Sequence, residues 1–245
     1  MKDVTTEEIV FQALLYRHAS TLLLYPEAAC GRALDAAADA NANAVAEAED
    51  GSLAVCSADL LAESAHELAG LFVEGAREHE LAANMEQAAR EAANAADAAR
   101  MLDLQRDYTA LFIGALEMAA PPFASYWLDG AHQLGGPTTT AVEQAYGAYG
   151  MRTQQRRKQP GDHLSTMLEF LFVLLRDAAS ALEAKDADSS ELLVSQARDF
   201  FGTYVQPWVG DMSALVQARA RTDFYRDLGA LLPLVVIDDS LLMKI

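Results

Sequence analysis

With 245 residues, 52% hydrophobic and 22% charged, the chain can bury a substantial core as one large domain or two small ones. Its 18 basic against 36 acidic residues leave a net charge of −18, which repels phosphate backbones and anionic membranes and disfavours general nucleic-acid binding. Two cysteines, Cys30 and Cys56, without Cys-x-x-Cys spacing, give no disulfide framework and fit a reducing, cytoplasmic setting.

Alanine is abundant and clusters of β-branched residues are rare, which favours helix because alanine loses no side-chain entropy there. The expectation is an all-α chain, a single helical domain of about eight to ten helices with no strand. The N-terminus is polar and acidic, unlike a signal peptide. Thr5 and Glu8 form a capping box, opening a helix through Ile9, Leu14, Leu15 and Leu22 to about Leu24, where Pro26 stops it. Residues 27–100 hold 15 acidic and 4 basic residues, and within them 40–44 and Glu49–Ser52 read as loop. A helix from Ser57 carries Leu60, Leu61, Leu68, Leu71 and Phe72 on one side. The next, from His79 through Ala88, Ala92 and Ala99, has small side chains that suit either close packing or a partly exposed rod.

From Met101 the side chains become bulky: Leu102, Leu104, Tyr108, Leu111 and Phe112, ending at Gly114. Residues 119–127 form a proline-broken connector whose aromatics, Phe123, Tyr126 and Trp127, either plug a core or line a groove. After a loop at Gly135-Gly136-Pro137, Thr140 and Glu143 read as a second capping box for a short helix through Tyr146 and Tyr149. A helix then runs from the Asp162-His163 pair to about Ala184, and Lys185–Ser190 is a polar loop. Another helix passes through Leu192, Leu193, Phe200, Phe201 and Tyr204, with a kink or break at Pro207-Trp208. The last runs from Ser213 through Phe224, Tyr225, Leu228 and Leu231 to Ile237. The apolar run Leu228–Ile237 contains Pro233 and falls short of the roughly 20 residues a membrane span needs. The chain thus divides into N-terminal helices (1–150), a hinge loop (151–164) and C-terminal helices (165–245).

Chemistry concentrates at the hinge. The histidines His18, His66, His79, His132 and His163 show no paired metal-ligand spacing, and no catalytic elbow or phosphate-binding glycine loop occurs. Asp162 follows Pro160-Gly161 and precedes an apolar run, so it reads as the N-cap of the following helix, without excluding a partner contact. His163 then falls in the first turn, where the helix dipole favours a neutral imidazole. Helical spacing puts Asp162, Thr166, Glu169 and Arg176 on one stripe, opposite Leu164, Met167, Leu168, Phe170, Leu171, Leu174 and Leu175. Glu169 either pairs with a basic ligand group or closes a solvated face with Arg176. Arg152, Arg156, Arg157 and Lys158 form either a solvated loop or a phosphate contact. Three readings follow: a peptide-binding chaperone, an acid–base enzyme using Asp162, His163 and Glu169 on a nucleotide, and a helical adaptor in which the hinge residues are only caps.

Gln159-Pro160-Gly161-Asp162-His163 leading into Leu168-Glu169-Phe170 resembles the Glu-Pro-x-Asp-His and Leu-Glu-Phe motif of the TorD/DmsD family of redox-enzyme maturation chaperones. Tyr108–Gly114 is similar to that family's Tyr-x-x-Leu-Phe element, and Pro122–Trp127 to its Pro-x-x-Ser-Val-Tyr segment. Trp208 and Phe224-Tyr225 resemble its C-terminal Trp and Phe-Tyr helix, so the likeness runs from about residue 102 to 240. Gln159 and Gly161 depart from the family pattern and lower the hinge's negative charge, and Trp127 extends the aromatic segment.

The resemblance implies an all-helical, non-enzymatic cytoplasmic chaperone. It would bind the twin-arginine signal peptide or the apo form of a molybdopterin-containing oxidoreductase, assist cofactor insertion and prevent premature export. The residues implied for peptide or partner binding are Gln159, Pro160, Asp162, His163, Glu169, Tyr108, Phe112, Ser125, Tyr126 and Trp127. No resident cofactor or metal is implied. GTP, which some members are linked to, would fall to Arg156, Arg157 and Lys158. The state implied is a monomer or a dimer swapped through the hinge, with no stable membrane insertion.

Overall fold

The computed structural model describes residues 4–27, 55–94, 98–114, 118–130, 132–151, 160–238 and Leu242. Cys30, the loops expected at 40–44 and Glu49–Ser52, and the hinge residues from Arg152 through Arg156, Arg157 and Lys158 to Gln159 lie outside these.

The first helix, α1 (Thr6–Leu22), opens on the expected capping box, with Glu8 N–H donating to Thr5 Oγ1 at 3.2 Å and Thr5 N–H to the Glu8 carboxylate at 2.9 Å. Two short strands were not expected: β1 (Tyr25–Glu27) and β2 (Val55–Ser57) pair in parallel, Pro26 opposite Cys56. Three residues are too few to display a period of two, and Pro26 is tolerated because a two-stranded sheet has only edges. Next come α2 (Ala58–Gly70), with Ser57 as N-cap, and α3 (Arg77–Ala93). The small side chains of α3 resolve into close packing: Ala82, Met85, Ala89 and Ala92 are buried, and the helix lies on α2 and on the penultimate apolar segment of the chain. Ala99 belongs to a separate helix, α4 (Ala98–Tyr108), which widens into a π turn (Thr109–Ile113) and stops at Gly114. There φ is +61°, a conformation glycine adopts without strain. Leu102, assigned to the apolar face from sequence, is 42% exposed.

A short α5 (Ala124–Leu128) precedes α6 (Pro137–Ala148). Helix α6 starts three residues before the capping box expected at Thr140, because Asp129 supplies the cap from outside, accepting the N–H and hydroxyl of Thr138. Pro137 fits the first turn, where its missing N–H is not needed, and Gly136 leaves room that a Cβ would take from the Asp129 carboxylate. After the hinge come α7 (Leu164–Glu183), α8 (Ala187–Tyr204), α9 (Gln206–Arg219) and α10 (Asp223–Pro233), which ends in a π turn (Leu234–Asp238). The loop expected over Lys185–Ser190 is shorter, since Asp186 caps α8 by accepting Ser189 N–H at 3.1 Å. The break at Pro207 is present, with α9 beginning beside it. Ser213 lies in α9 and not in the last helix. Its successor α10 starts after Thr222, where buried Asp107 of α4 accepts Arg221 N–H at 2.9 Å, Thr222 N–H at 2.7 Å and the Thr222 hydroxyl at 2.7 Å.

Helix α7 is the centre of the all-α fold. Leu164, Met167, Leu168, Leu171, Leu174 and Leu175 are each at most 1% exposed, packed between α1 and α8. Each such side chain contributes on the order of 1.5–3 kcal/mol of transfer free energy. Among the described residues no helix is long and apolar enough to cross a membrane.

Candidate functional site

Two motif segments, 37 residues apart, are stitched into one structure. Leu164 N–H donates to the Pro122 carbonyl at 2.8 Å and Ala124 N–H to the Asp162 carbonyl at 3.0 Å, an antiparallel bridge with Phe123 opposite His163. Their rings meet edge to face, centroids 5.1 Å apart. Asp162 is fully buried, and its Oδ2 accepts Ser125 N–H at 2.7 Å. Ser125 is in the first turn of α5, whose own N-cap, Phe123, offers no side-chain acceptor. Asp162 therefore caps α5 across the fold, not the helix it precedes. Among the described residues its Oδ1, and the Ser125 Oγ, are buried without hydrogen-bond partners.

The cap of α7 is His163, whose Nδ1 accepts Ser165 N–H at 3.2 Å and lies 2.8 Å from Ser165 Oγ. An amide N–H can only donate, so Nδ1 serves as the acceptor of the cap. His163 thus lies at the N-cap, one position earlier than the first turn expected for it. The expected placement of Asp162 as cap and as first member of the polar stripe does not hold. The Pro160-Gly161 turn, closed by His163 N–H to the Pro160 carbonyl at 3.3 Å, carries the aspartate inward. Thr166 and Glu169 are half-buried and Arg176 exposed, so the stripe begins at Thr166.

Tyr146 was not singled out from sequence. Its hydroxyl donates to the Gly161 carbonyl at 2.9 Å, fastening α6 to the turn before Asp162. Burial raises its phenol well above the usual range, and the carboxylates of Asp162, Glu169 and Glu143 push in the same direction, so it is a neutral donor at ordinary pH. The signal was Tyr146 standing four residues after Val142, both buried on α6.

The aromatics sort into two groups. Tyr108 and Phe112, expected among the peptide- or partner-binding residues, are each 3% exposed and belong to the core. Tyr108 donates to the Leu23 carbonyl at 3.3 Å and packs against Tyr25, Phe112 and Tyr225. An irregular segment can present aromatics outward, but these two ride on α4 and its π turn with their faces turned inward. Tyr126 and Trp127 are half-buried at the surface of α5. Trp127 Nε1 donates to the Pro121 carbonyl at 2.8 Å, and its ring stacks on Trp208 of α9 at 6.1 Å. Tyr126 contacts Trp127 and, at 4.7 Å, the exposed His132. Asp162, His163, Pro160, Ser125, Tyr126 and Trp127 thus share one corner of the fold, with Glu169 further along α7. Among the described residues no group of three or more His, Cys, Asp or Glu is arranged to hold a metal ion.

Residues 78–214, which contain both stitched segments, match the family described as nitrate reductase delta subunit. The chain belongs to that family, the TorD/DmsD group of redox-enzyme maturation chaperones. It is 35% identical over 132 residues to chaperone protein YcdY of Escherichia coli K12, covering 54% of this chain and 60% of that one. It is 26% identical over 127 residues to chaperone protein TorD of Psychrobacter sp. PRwf-1, covering 51% and 55%. A shorter match, 32% over 65 residues, is to the Tat proofreading chaperone DmsD of Salmonella typhimurium, covering 26% and 32%. The chain spans at most about three-fifths of the length of these curated relatives.

Proposed function

We propose that the protein is a cytoplasmic, non-enzymatic chaperone that binds the twin-arginine signal peptide, or the apo form, of a molybdopterin-containing oxidoreductase. In this role it assists cofactor insertion and delays export. The observation that carries the reading is the stitched corner: an internally capped turn fixes a short helix whose Tyr126 and Trp127 stand half-exposed beside it. Surface aromatics on a rigid support suit the apolar stretch of a peptide. A net charge of −18 supports capture of an arginine pair, by steering that weakens as salt rises. Asp162, His163 and Ser125 act as positioning residues, holding α5, while Tyr126, Trp127, Glu169, Pro160 and Gln159 make the contacts.

Calorimetric titration with a synthetic twin-arginine peptide tests this. Binding is expected, and Tyr126→Ala or Glu169→Gln should each weaken it about tenfold with little change in melting temperature. Failure of every twin-arginine peptide and every apoenzyme precursor to bind would sink the proposal.

A further inference from the structure

We propose that His132 is a specificity-determining residue of the aromatic corner: its imidazole rests on Tyr126 as a built-in cover, which an apolar peptide side chain must displace to bind. The role rests on the peptide-binding reading of that corner. The two ring centroids are 4.7 Å apart with planes inclined at 44°, a separation that leaves no room for a third group between them. Trp127 meets the same tyrosine at 5.5 Å and 72°. Tyr126 therefore has neighbours from its own chain on two sides, and they are held differently. Trp127 is fixed by its bond to the Pro121 carbonyl and its stack on Trp208. His132 is exposed, and among the described residues its ring has no hydrogen bond or ion pair, so it can leave.

The backbone of His132 carries the second observation. Its φ is +50°, in the left-handed region that an L side chain enters only at a cost and glycine enters freely. The other left-handed positions of the same loop, at +71° and +76°, are occupied by Gly130 and Gly135. A glycine at 132 would satisfy the turn, so what histidine adds there is its ring. Asp129 closes the base of the loop: it follows α5, and its carboxylate accepts from Thr138 at the start of α6. The span between is short, so the imidazole stays close to Tyr126 even when moved aside. A displaced imidazole returns its polar nitrogens to water, whereas a leucine or phenylalanine side chain that takes its place leaves water. The exchange favours bulky apolar residues. Serine or alanine has too little apolar surface to drive it.

The test titrates the full chain and its His132→Gly variant with two synthetic peptides: an Arg-Arg peptide with a leucine-rich stretch, and the same peptide with serines for the leucines. Removing the cover should tighten the leucine peptide about fivefold, the worth of one aromatic contact, and leave the serine peptide unchanged. The gain should vanish in a Tyr126→Ala background, and the glycine variant should melt no lower than the parent. On the parent, NMR should show the His132 ring protons losing the Tyr126 ring-current shift as the leucine peptide binds. The proposal is overturned, with the peptide-binding reading intact, if the leucine peptide binds the variant no more tightly than the parent. An equal gain for both peptides overturns it too, since the effect then belongs to the loop and not to the tyrosine. Binding of neither peptide to either protein overturns both readings.

Discussion

Replacing Asp162 by alanine removes the side chain that caps α5. Ser125 is fully buried, so its N–H, now donating at 2.7 Å to a carboxylate, would be left without an acceptor. An orphaned buried donor costs about 1–3 kcal/mol. The carboxylate is itself buried with Oδ1 unpartnered, so its removal also relieves a desolvation penalty, and the net loss falls near about 2 kcal/mol. For a chain of this size that lowers Tm by about 4–8 °C. Asp162→Asn keeps an acceptor at the Ser125 N–H and sheds the buried charge, so it should cost about 1 kcal/mol or less. Thermal melts of both variants, with peptide titration on each, separate two roles. A positioning residue predicts that the alanine variant loses binding and the asparagine variant retains it. If asparagine abolishes binding while melting like the parent, the charge itself contacts the ligand and the positioning argument is wrong. If alanine melts like the parent, the cross-fold cap contributes nothing.

Two further outcomes follow from buried groups. His18 is held neutral, its pKa lowered from 6.5 to about 4 by burial and then by the charge of Arg17, with the half-exposed Glu67 carboxylate 3.3 Å from Nε2 too hydrated to reverse this. The unfolded chain takes up that proton first, so the contribution is fully present above pH 6.5 and is lost as pH falls toward about 4, amounting to about 3 kcal/mol. Urea unfolding between pH 7 and 4 should show a shallower slope in His18→Gln, and equal slopes would refute the assignment. Gly229 sits where α10 crosses α9: an added Cβ would meet Gln217 N at 2.5 Å and Ser213 O at 2.9 Å, both backbone atoms. Gly229→Ala should therefore destabilise by about 1–3 kcal/mol, despite alanine's better helix propensity, and a variant that melts higher would contradict the close approach.

What was legible in the sequence was local. The Thr5/Glu8 box, the breaks at Pro26 and Pro207, the stop at Gly114 and the apolar face of α7 each rest on residues within one or two turns of each other. Three helix starts, those of α5, α6 and α10, are capped by a carboxylate from another element. Asp129 moved the start of α6 from Thr140 to Pro137, and Asp107 set the start of α10 at Thr222 from 115 residues away. Asp162 likewise passed its cap to α5 and left α7 to His163. Spacing rules cannot show a partner that only folding delivers. The aromatics erred for a related reason: Tyr108 and Trp127 look alike in sequence, and only the packing of α10 and α9 decides which one is core.

These exchanged caps bear on how the candidate site keeps its shape. Helix α5 is five residues long, too short to be stable by itself, so its position is set by what holds its ends. At its start it depends on Asp162, and at its end Asp129 belongs to the cap of α6. Tyr146 of α6 then returns to the Gly161 carbonyl, closing a loop of contacts through α5, α6 and the turn before α7. A ring of this kind couples its members. A substitution at Tyr146 or Asp129, neither of which touches the Tyr126-Trp127 surface through its own hydrogen bonds, should therefore weaken peptide binding by shifting α5. Tyr146→Phe, which removes one hydroxyl and almost no volume, is the cleanest version: a fall in affinity with the same Tm would show coupling through the ring, and an unchanged affinity would show that α5 is held without it.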